Sequence, residues 1–514
     1  MSSSLQKILN NINGDSAPVE LQELAGSSKA LVVSMLSKIS GQSSGKTVPV
    51  VVVCESFDIA EVFLHDIYYY FGREGVHFFP FWDVLPYDNF SPHKGLIAQR
   101  FQTLDALLNQ QARILITTPN ALMQCFLPRN DFLKNTITLT NEFVGSPDEI
   151  RQQLLNSGYI QVDVVEELGE FSTHGGILDV FPLNLEKPVR IEFSENSKVQ
   201  FLKPFDIQTQ HTDQTELGSL KILPAGEILF NQENIDFARQ SLPEYRKECT
   251  PEVLLRLRQS LQKKEGFPGI ESLSPLFYPE LETLFDYFPD EFLLIVNEEK
   301  NVNKRADSFY QEVFTEYEIS GQQNKLTLSP KSLFLTHTEL QTQLNKHVSL
   351  VLNSMNINNT TARTVHQLQF VDNKSLRHQF ESAKATSAAG YMVQLLQKWQ
   401  SSGTPVLLSA KNQTHADGFQ QLLDDLGVES TSAGDQLTAN RCPWLEWLEK
   451  NDTENTSDSI PILTGKVSSG FRKLDSNGKA LFVLLTEEEV FGEKTRNRCL
   501  QRAQIHLSSC NVVS

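Results

Sequence analysis

Short runs of wholly apolar residues alternate along this chain with stretches whose apolar positions recur every three or four residues. Val48 to Cys54 (VPVVVVC), Val76 to Trp82 and Arg113 to Thr117 read as strands, with a helical pattern over Leu96 to Leu108. Strands covered on both faces lose the polar half of the alternation, so these runs predict a parallel α/β layer over roughly the first 130 residues. The pattern then changes. Ser146-Pro147-Asp148-Glu149 is a capping box with proline at the first helical position; Ile150, Leu154 and Leu155 form the apolar face and Gly158 stops the helix. Beyond it, His174 to Phe181 (HGGILDVF) and Val189 to Phe193 (VRIEF) predict an antiparallel hairpin in a small inserted domain. In the second of these strands Val189, Ile191 and Phe193 share one side, so burial of that set turns Arg190 and Glu192 toward solvent. A helical stretch of mixed charge, Asn234 to Lys264, leads back to the α/β pattern, which ends in Phe285 to Lys300. After residue 345 strands and helices alternate again, through Pro405 to Ser409, Phe419 to Leu426, Ile460 to Leu463 and Ala480 to Leu485, around a solvated loop at Asn451 to Ser459.

Three places in this pattern invite nucleotide chemistry, and all depart from it. The run Asp290 to Lys300 (DEFLLIVNEEK) predicts a strand, Phe292 to Val296, whose carboxyl end is where phosphoryl-transfer proteins keep an Asp-Glu pair for magnesium and water. Here Asn297 and Glu298 stand in that place, and an amide oxygen is a neutral ligand where a carboxylate is needed. A phosphate cradle needs GxxxxGK[ST] between strand and helix. Gly41 to Thr47 (GQSSGKT) is one residue short, precedes a strand, and is expected to be a solvated loop. Gly26 to Lys29 (GSSK) does precede a helical pattern, with Leu31, Met35, Leu36 and Ile39, but lacks the second glycine. Capping by Ser27 or Ser28 is the simpler expectation there.

Composition narrows the classes further. A chain of 514 residues has room for three or four domains, and its formal charge of −18 argues against a sequence-independent grip on nucleic acid. The six cysteines, Cys54, Cys125, Cys249, Cys442, Cys499 and Cys510, have no metal-ligand or paired spacing, so reduced thiols and no metal site are expected. The amino terminus has no apolar signal core and no apolar run is long enough to span a membrane, so a cytoplasmic location is expected. Asp88 and His93 within YDNFSPHK could pass for an acid/base pair, but Ser91 with Pro92 is expected to cap the next helix. Glu487, Glu488 and Glu489 read as a solvated strand end.

Three segments in order, Trp82 to Arg100 (WDVLPYDNFSPHKGLIAQR), Gly169 to Phe205 and Gly269 to Lys300, together resemble the amino-terminal half of the Mfd family of bacterial transcription-repair coupling factors. That half is itself similar to the excision-repair protein UvrB. The agreement runs over roughly residues 20 to 500, with Phe482 to Lys494 (FVLLTEEEVFGEK) resembling the closing strand of the family's third domain. The degenerate sites favour Mfd over UvrB, and the short link from Tyr87 to Leu96 leaves no room for UvrB's DNA-gripping hairpin.

The resemblance implies an α/β fold: a degenerate P-loop/RecA-like domain in two sequence parts (1–130 and 221–345), an inserted α+β domain (131–220), a further α/β domain (346–495) and an aberrant tail (496–514). It implies that the insert docks UvrA in transcription-coupled nucleotide-excision repair. Arg190 matches one of the family's basic contacts, while His174 stands where a second arginine is usual and Ser194 where an aromatic is usual. Gly26, Lys29, Asn297 and Glu298 would form the degenerate nucleotide site, with no catalytic residue and no cofactor in this chain, although the full-length family uses ATP and magnesium. Contacts with RNA polymerase and DNA would belong to the family's carboxyl-terminal half, which the sequence does not continue into; no membrane contact is implied. Two other readings remain open. An ATPase or helicase would need Lys29 or Lys46 to hold phosphate with Glu298 in support, and a truncated, non-functional remnant would account for the tail Thr495 to Ser514.

Overall fold

A computed structural model describes residues 18–43, 48–243, 250–322, 328–356, 363–374 with 376, 388–425, 427–432 and 459–490. The chain divides into two compact units, one built from residues 1–76, 293–299 and 348–514 and the other from 77–292 and 300–347.

The first unit holds two sheets. In one, strands β1 (Val19–Gln22), β2 (Val50–Val53), β12 (Leu293–Asn297), β13 (Val348–Leu352) and β14 (Thr364–Gln367) lie in the order β14-β1-β13-β12-β2 and pair in parallel throughout. Each valine of β2 is fully buried, as expected of a strand covered on both faces. Helix α1 (Ser28–Ser43) follows β1 and α2 (Phe57–Phe71) follows β2. Val32 and Val33 of α1 are buried along with Leu31 and Leu36, so this helix is enclosed and has no single apolar face.

The other sheet of this unit contains β15 (Phe370–Val371), β16 (Val406–Ala410), β17 (Ser430–Ser432), β18 (Ile460–Thr464), β19 (Phe471–Leu474) and β20 (Ala480–Thr486), in the order β15-β19-β20-β16-β18-β17. The four strands from β20 to β17 are parallel and β19 is antiparallel to both neighbours. Its core includes Leu396, Leu408, Phe419, Ile462 and Leu485.

The second unit contains β3 (Val76–Phe79) and β4 (Ile114–Thr117) as neighbours, with α3 (Lys94–Leu108) between them in sequence. Strand β5 (Ile137–Thr140) pairs antiparallel with β11 (Ser219–Ile222). Between these two in sequence lies a five-stranded sheet, β6 (Ile160–Gln161), β7 (Glu170–His174), β8 (Ile177–Val180), β9 (Val189–Phe193) and β10 (Val199–Pro204), in the order β10-β9-β8-β7-β6. All its pairs are antiparallel except β6 with β7. Helix α4 (Pro147–Asn156) starts as the capping box requires, with the Ser146 side chain accepting from the Glu149 N–H. The mixed-charge stretch is two helices, α5 (Gln232–Ser241) and α6 (Pro251–Lys263), not one continuous pattern, since Pro243 and then Pro251 at a first turn break it.

Several local expectations change. Gly41, Gln42 and Ser43 form the last turn of α1, so the first part of GQSSGKT is helical, while residues 44–47, Lys46 among them, lie outside the described residues. Strand β12 runs one residue later than expected and includes Asn297, and β3 stops at Phe79 because Pro80 follows. The alternation of the last stretch stands, with residues 419–425 in helix α7 (Gln413–Asp425), while Leu426 lies outside the described residues. His93, not Ser91, caps α3: its ring nitrogen accepts from the Gly95 N–H, while the Ser91 hydroxyl donates to Glu271 at 2.8 Å. Of the three glutamates after β20 only Glu488 is exposed, as expected of a solvated end. Glu487 meets His415 at 2.8 Å, and Glu489 folds back to accept the Thr486 and Gly470 N–H groups. Residues 451–458 and 491–514, hence the expected solvated loop and tail, lie outside the described residues.

Candidate functional site

Lys29 sits in the first turn of α1, and its ammonium crosses to the carboxyl end of β12. Nζ donates to Asn297 Oδ1 at 2.8 Å and to Glu298 Oε1 at 2.6 Å. The structure thus brings Lys29, Asn297 and Glu298 together, with Gly26 in the turn just before α1 at a left-handed φ of 59°. Glu298 is itself left-handed, φ 56°, a conformation costly for a side chain with Cβ and held here by two backbone bonds. Its N–H donates to the Leu352 carbonyl at 2.9 Å, and its carboxylate accepts the Ser354 N–H at 2.8 Å. Burial pulls the Glu298 carboxyl up, but the Lys29 charge and hydrogen bonds from Lys29 and Ser354 prevail and hold it below its ordinary range. Cation and carboxylate neutralise each other in this arrangement. Cys54, 3.9 Å from the Asn297 amide, is buried and its thiol is pushed up to about 12, so it stays protonated.

Ser27 does not cap α1 through its side chain. Its hydroxyl lies 2.7 Å from the Tyr70 hydroxyl and 2.7 Å from the Ser469 carbonyl, because neighbouring chain reaches the turn before solvent does. Neither does the Ser28 hydroxyl have a hydrogen-bonding partner among the described residues.

In the five-stranded sheet, register decides what Arg190 meets. Strand β9 alternates as expected, with Val189, Ile191 and Phe193 buried. Across the polar face, Ser172, Asp179, Arg190 and Lys203 stand opposite one another in a row. Arg190 is not an open solvent-facing cation: its Nε and Nη2 fork onto the two Asp179 oxygens at 2.8 and 2.7 Å, and its guanidinium lies 5.0 Å from the centre of the Phe205 ring. About a quarter of the side chain, 24%, remains exposed. This bidentate bond holds the guanidinium charged and fixes its plane.

His174 ends β7, at the tight turn of Gly175 and Gly176, where it is exposed with Nε2 3.0 Å from the Asp163 carbonyl. Ser194 begins the neighbouring turn and accepts the Lys198 N–H on its hydroxyl at 3.1 Å. The Phe193 N–H donates to the Gly176 carbonyl, so the two turns lie side by side at one end of the sheet. His174 shares a row with Ile177 and Glu192, one pair beyond Arg190 on the same face. Asp179 escaped the sequence reading, although the alternation of ILDV already placed it on the polar side with Ile177. Phe205 left no local signal.

Among the described residues no group of His, Cys, Asp or Glu is placed to hold a metal ion. No described helix is long and apolar enough to cross a membrane.

Residues 137–227, from the first residue of β5 to a glutamate buried in the second unit, match the UvrB interaction domain. The transcription-repair-coupling factor of Haemophilus influenzae is 32% identical over 321 residues, covering 61% of this chain and 26% of that protein. That of Escherichia coli K12 is 32% identical over 327 residues, 63% of this chain and 27% of the relative. The Myxococcus xanthus factor is 24% identical over 508 residues, 93% of this chain and 39% of the relative. The chain therefore spans from about a quarter to two fifths of the length of these curated relatives. Residues 137–227 are thus similar to the UvrB interaction domain, within a longer stretch similar to the transcription-repair-coupling factors and consistent with the amino-terminal half of one.

Proposed function

We propose that this chain serves transcription-coupled DNA repair in the cytoplasm as a docking module that recruits UvrA through its five-stranded sheet, and that it hydrolyses no nucleotide. The match of residues 137–227 to the UvrB interaction domain carries the recruitment reading. Arg190, pre-oriented by Asp179 and partly exposed, supplies a charged anchor, with His174 and Ser194 at the end of the same sheet. The domain organisation we infer is a degenerate P-loop/RecA-like core in two parts, 1–130 and 221–345, interrupted by the docking domain at 131–220 and followed by an α/β domain at 346–495 and a tail at 496–514. The donor set around Lys29 supports the non-catalytic reading. Asn297 offers a neutral amide where magnesium chemistry uses a carboxylate, and Lys29 and Glu298 bind each other, so the residues present do not fit a magnesium nucleotide.

Calorimetric titration of the chain with UvrA tests this. We expect saturable one-site binding, weakened about tenfold or more in Arg190→Ala, as for a central charged anchor. Charge reversal is the poorer variant, because a carboxylate at position 190 would face Asp179 directly across the strands. Absence of heat with the folded wild-type chain would overturn recruitment, and full affinity in a folded Arg190→Ala would remove Arg190 from the interface.

A further inference from the structure

Residues 465–470 join β18 to β19 and reach the turn between β1 and α1. Ser27 donates both its N–H, at 3.3 Å, and its hydroxyl, at 2.7 Å, to the Ser469 carbonyl, leaving the Tyr70 hydroxyl to donate to Ser27 Oγ. One residue away, Asp66 of α2 accepts the Ser468 N–H at 2.7 Å and its hydroxyl at 2.6 Å. On the other side of the loop Glu489 accepts the Gly470 N–H at 3.0 Å, and is itself held by the Thr486 N–H and the Asn373 amide.

The seat is built from backbone. At Gly26 a Cβ would run into the Gly470 carbonyl, and at Gly470 it would run into the Leu484 carbonyl and the Glu489 carboxylate. Gly26 therefore meets the Gly470 carbonyl at a separation that leaves no room for a Cβ on residue 26, while Gly470 is kept free of a side chain by Leu484 and Glu489 on its other side. In a phosphate-binding loop the N–H groups that open the helix face the anion. Here the Ser27 N–H faces a carbonyl of the same chain.

We propose that residues 468–470 are an internal latch, seated on the degenerate phosphate-binding loop where a phosphate would lie, that fastens the six-stranded sheet to the parallel sheet of β1 and β2. A carbonyl oxygen brings the acceptor that the loop's donors need, without charge, and the lost nucleotide is replaced by a contact that opens only when the two sheets part. The proposal rests on reading residues 26–29 as a degenerate phosphate-binding loop, and its two parts fail separately.

Hydrogen exchange read by mass spectrometry on the full chain tests both. Ser27→Ala should speed exchange across the contact, at the Ser468 and Gly470 amides, and Ser468→Ala should speed it at the Ser27 amide. Each effect should be about tenfold, the consequence of losing one partly buried hydrogen bond. Exchange in Val50–Val53 and Val406–Ala410, strands interior to each sheet, should not change. Unchanged exchange across the contact, or faster exchange in those strands as well, would overturn the latch. Magnesium ATP added to the wild-type chain should leave the Ser27 amide unaltered; protection by the nucleotide would instead overturn the degenerate-loop reading on which the latch rests.

Discussion

Replacing Glu227 by alanine should destabilise the second unit by about 3–5 kcal/mol, the cost of leaving a buried charge without its partner. Arg100 is fully buried. Its Nε donates to Glu227 at 2.8 Å, its Nη1 donates to the Pro80 carbonyl at 2.7 Å, and its guanidinium lies 4.3 Å from the centre of the Phe79 ring. Glu227 also accepts the Trp82 indole N–H at 3.2 Å. The pair ties α3 and the segment after β3 to residue 227, the last of the stretch that matches the UvrB interaction domain. Urea unfolding followed by circular dichroism should show the loss in Glu227→Ala, while Arg100→Met with Glu227→Leu should recover most of it, since an apolar pair removes the unpaired charge. A loss in Glu227→Ala no larger than that of an ordinary surface substitution, about 0.5 kcal/mol, would mean that Arg100 finds another partner.

Stability of the first unit should fall as pH rises from about 4 to about 7, and Asp66→Asn should flatten that fall. Burial pushes the Asp66 carboxyl up from its ordinary 3.8 to about 7, against the opposing pull of the hydrogen bonds from Ser468. Between these values the folded chain keeps a proton that the unfolded chain has released. The contribution is therefore fully present below the unfolded value and is lost as pH climbs through the folded one. At about 1.4 kcal/mol per pH unit the effect is at most roughly 4 kcal/mol. Tyr70 and Glu489 also face this region, and Glu271 of the second unit, likewise pushed to about 7 by burial, slopes the same way. The informative quantity is thus the difference between wild type and Asp66→Asn in urea midpoints measured from pH 4 to pH 8. Parallel curves would show that Asp66 is ionised in the folded chain.

Much of this was legible from local pattern. The apolar runs at β2, β4 and β12 were readable because a strand buried on both faces leaves no polar alternation, and β9 was readable because one covered face leaves it intact. The Ser146 cap depends on residues three apart and could be read directly. The misreadings had a common cause. Ser91 and His93 are both able to cap α3, and the choice fell to His93 because Glu271, far along the chain, takes the Ser91 hydroxyl. Glu489 resembled a solvated end until Gly470 supplied the N–H that draws it inward.

Sequence alone determined the α/β class, the inserted β segment, and the chemical departures at Gly26, Asn297 and Glu298, because each depends on residue type and on spacing within one element. Tertiary structure decided what those departures do. Asp179 across the sheet fixes Arg190, Lys29 closes on Glu298 from 269 residues away, and the Ser469 carbonyl meets Ser27 from 442 away. Such pairings depend on strand register and loop approach, and both are set by the packing of whole elements, which no local pattern encodes.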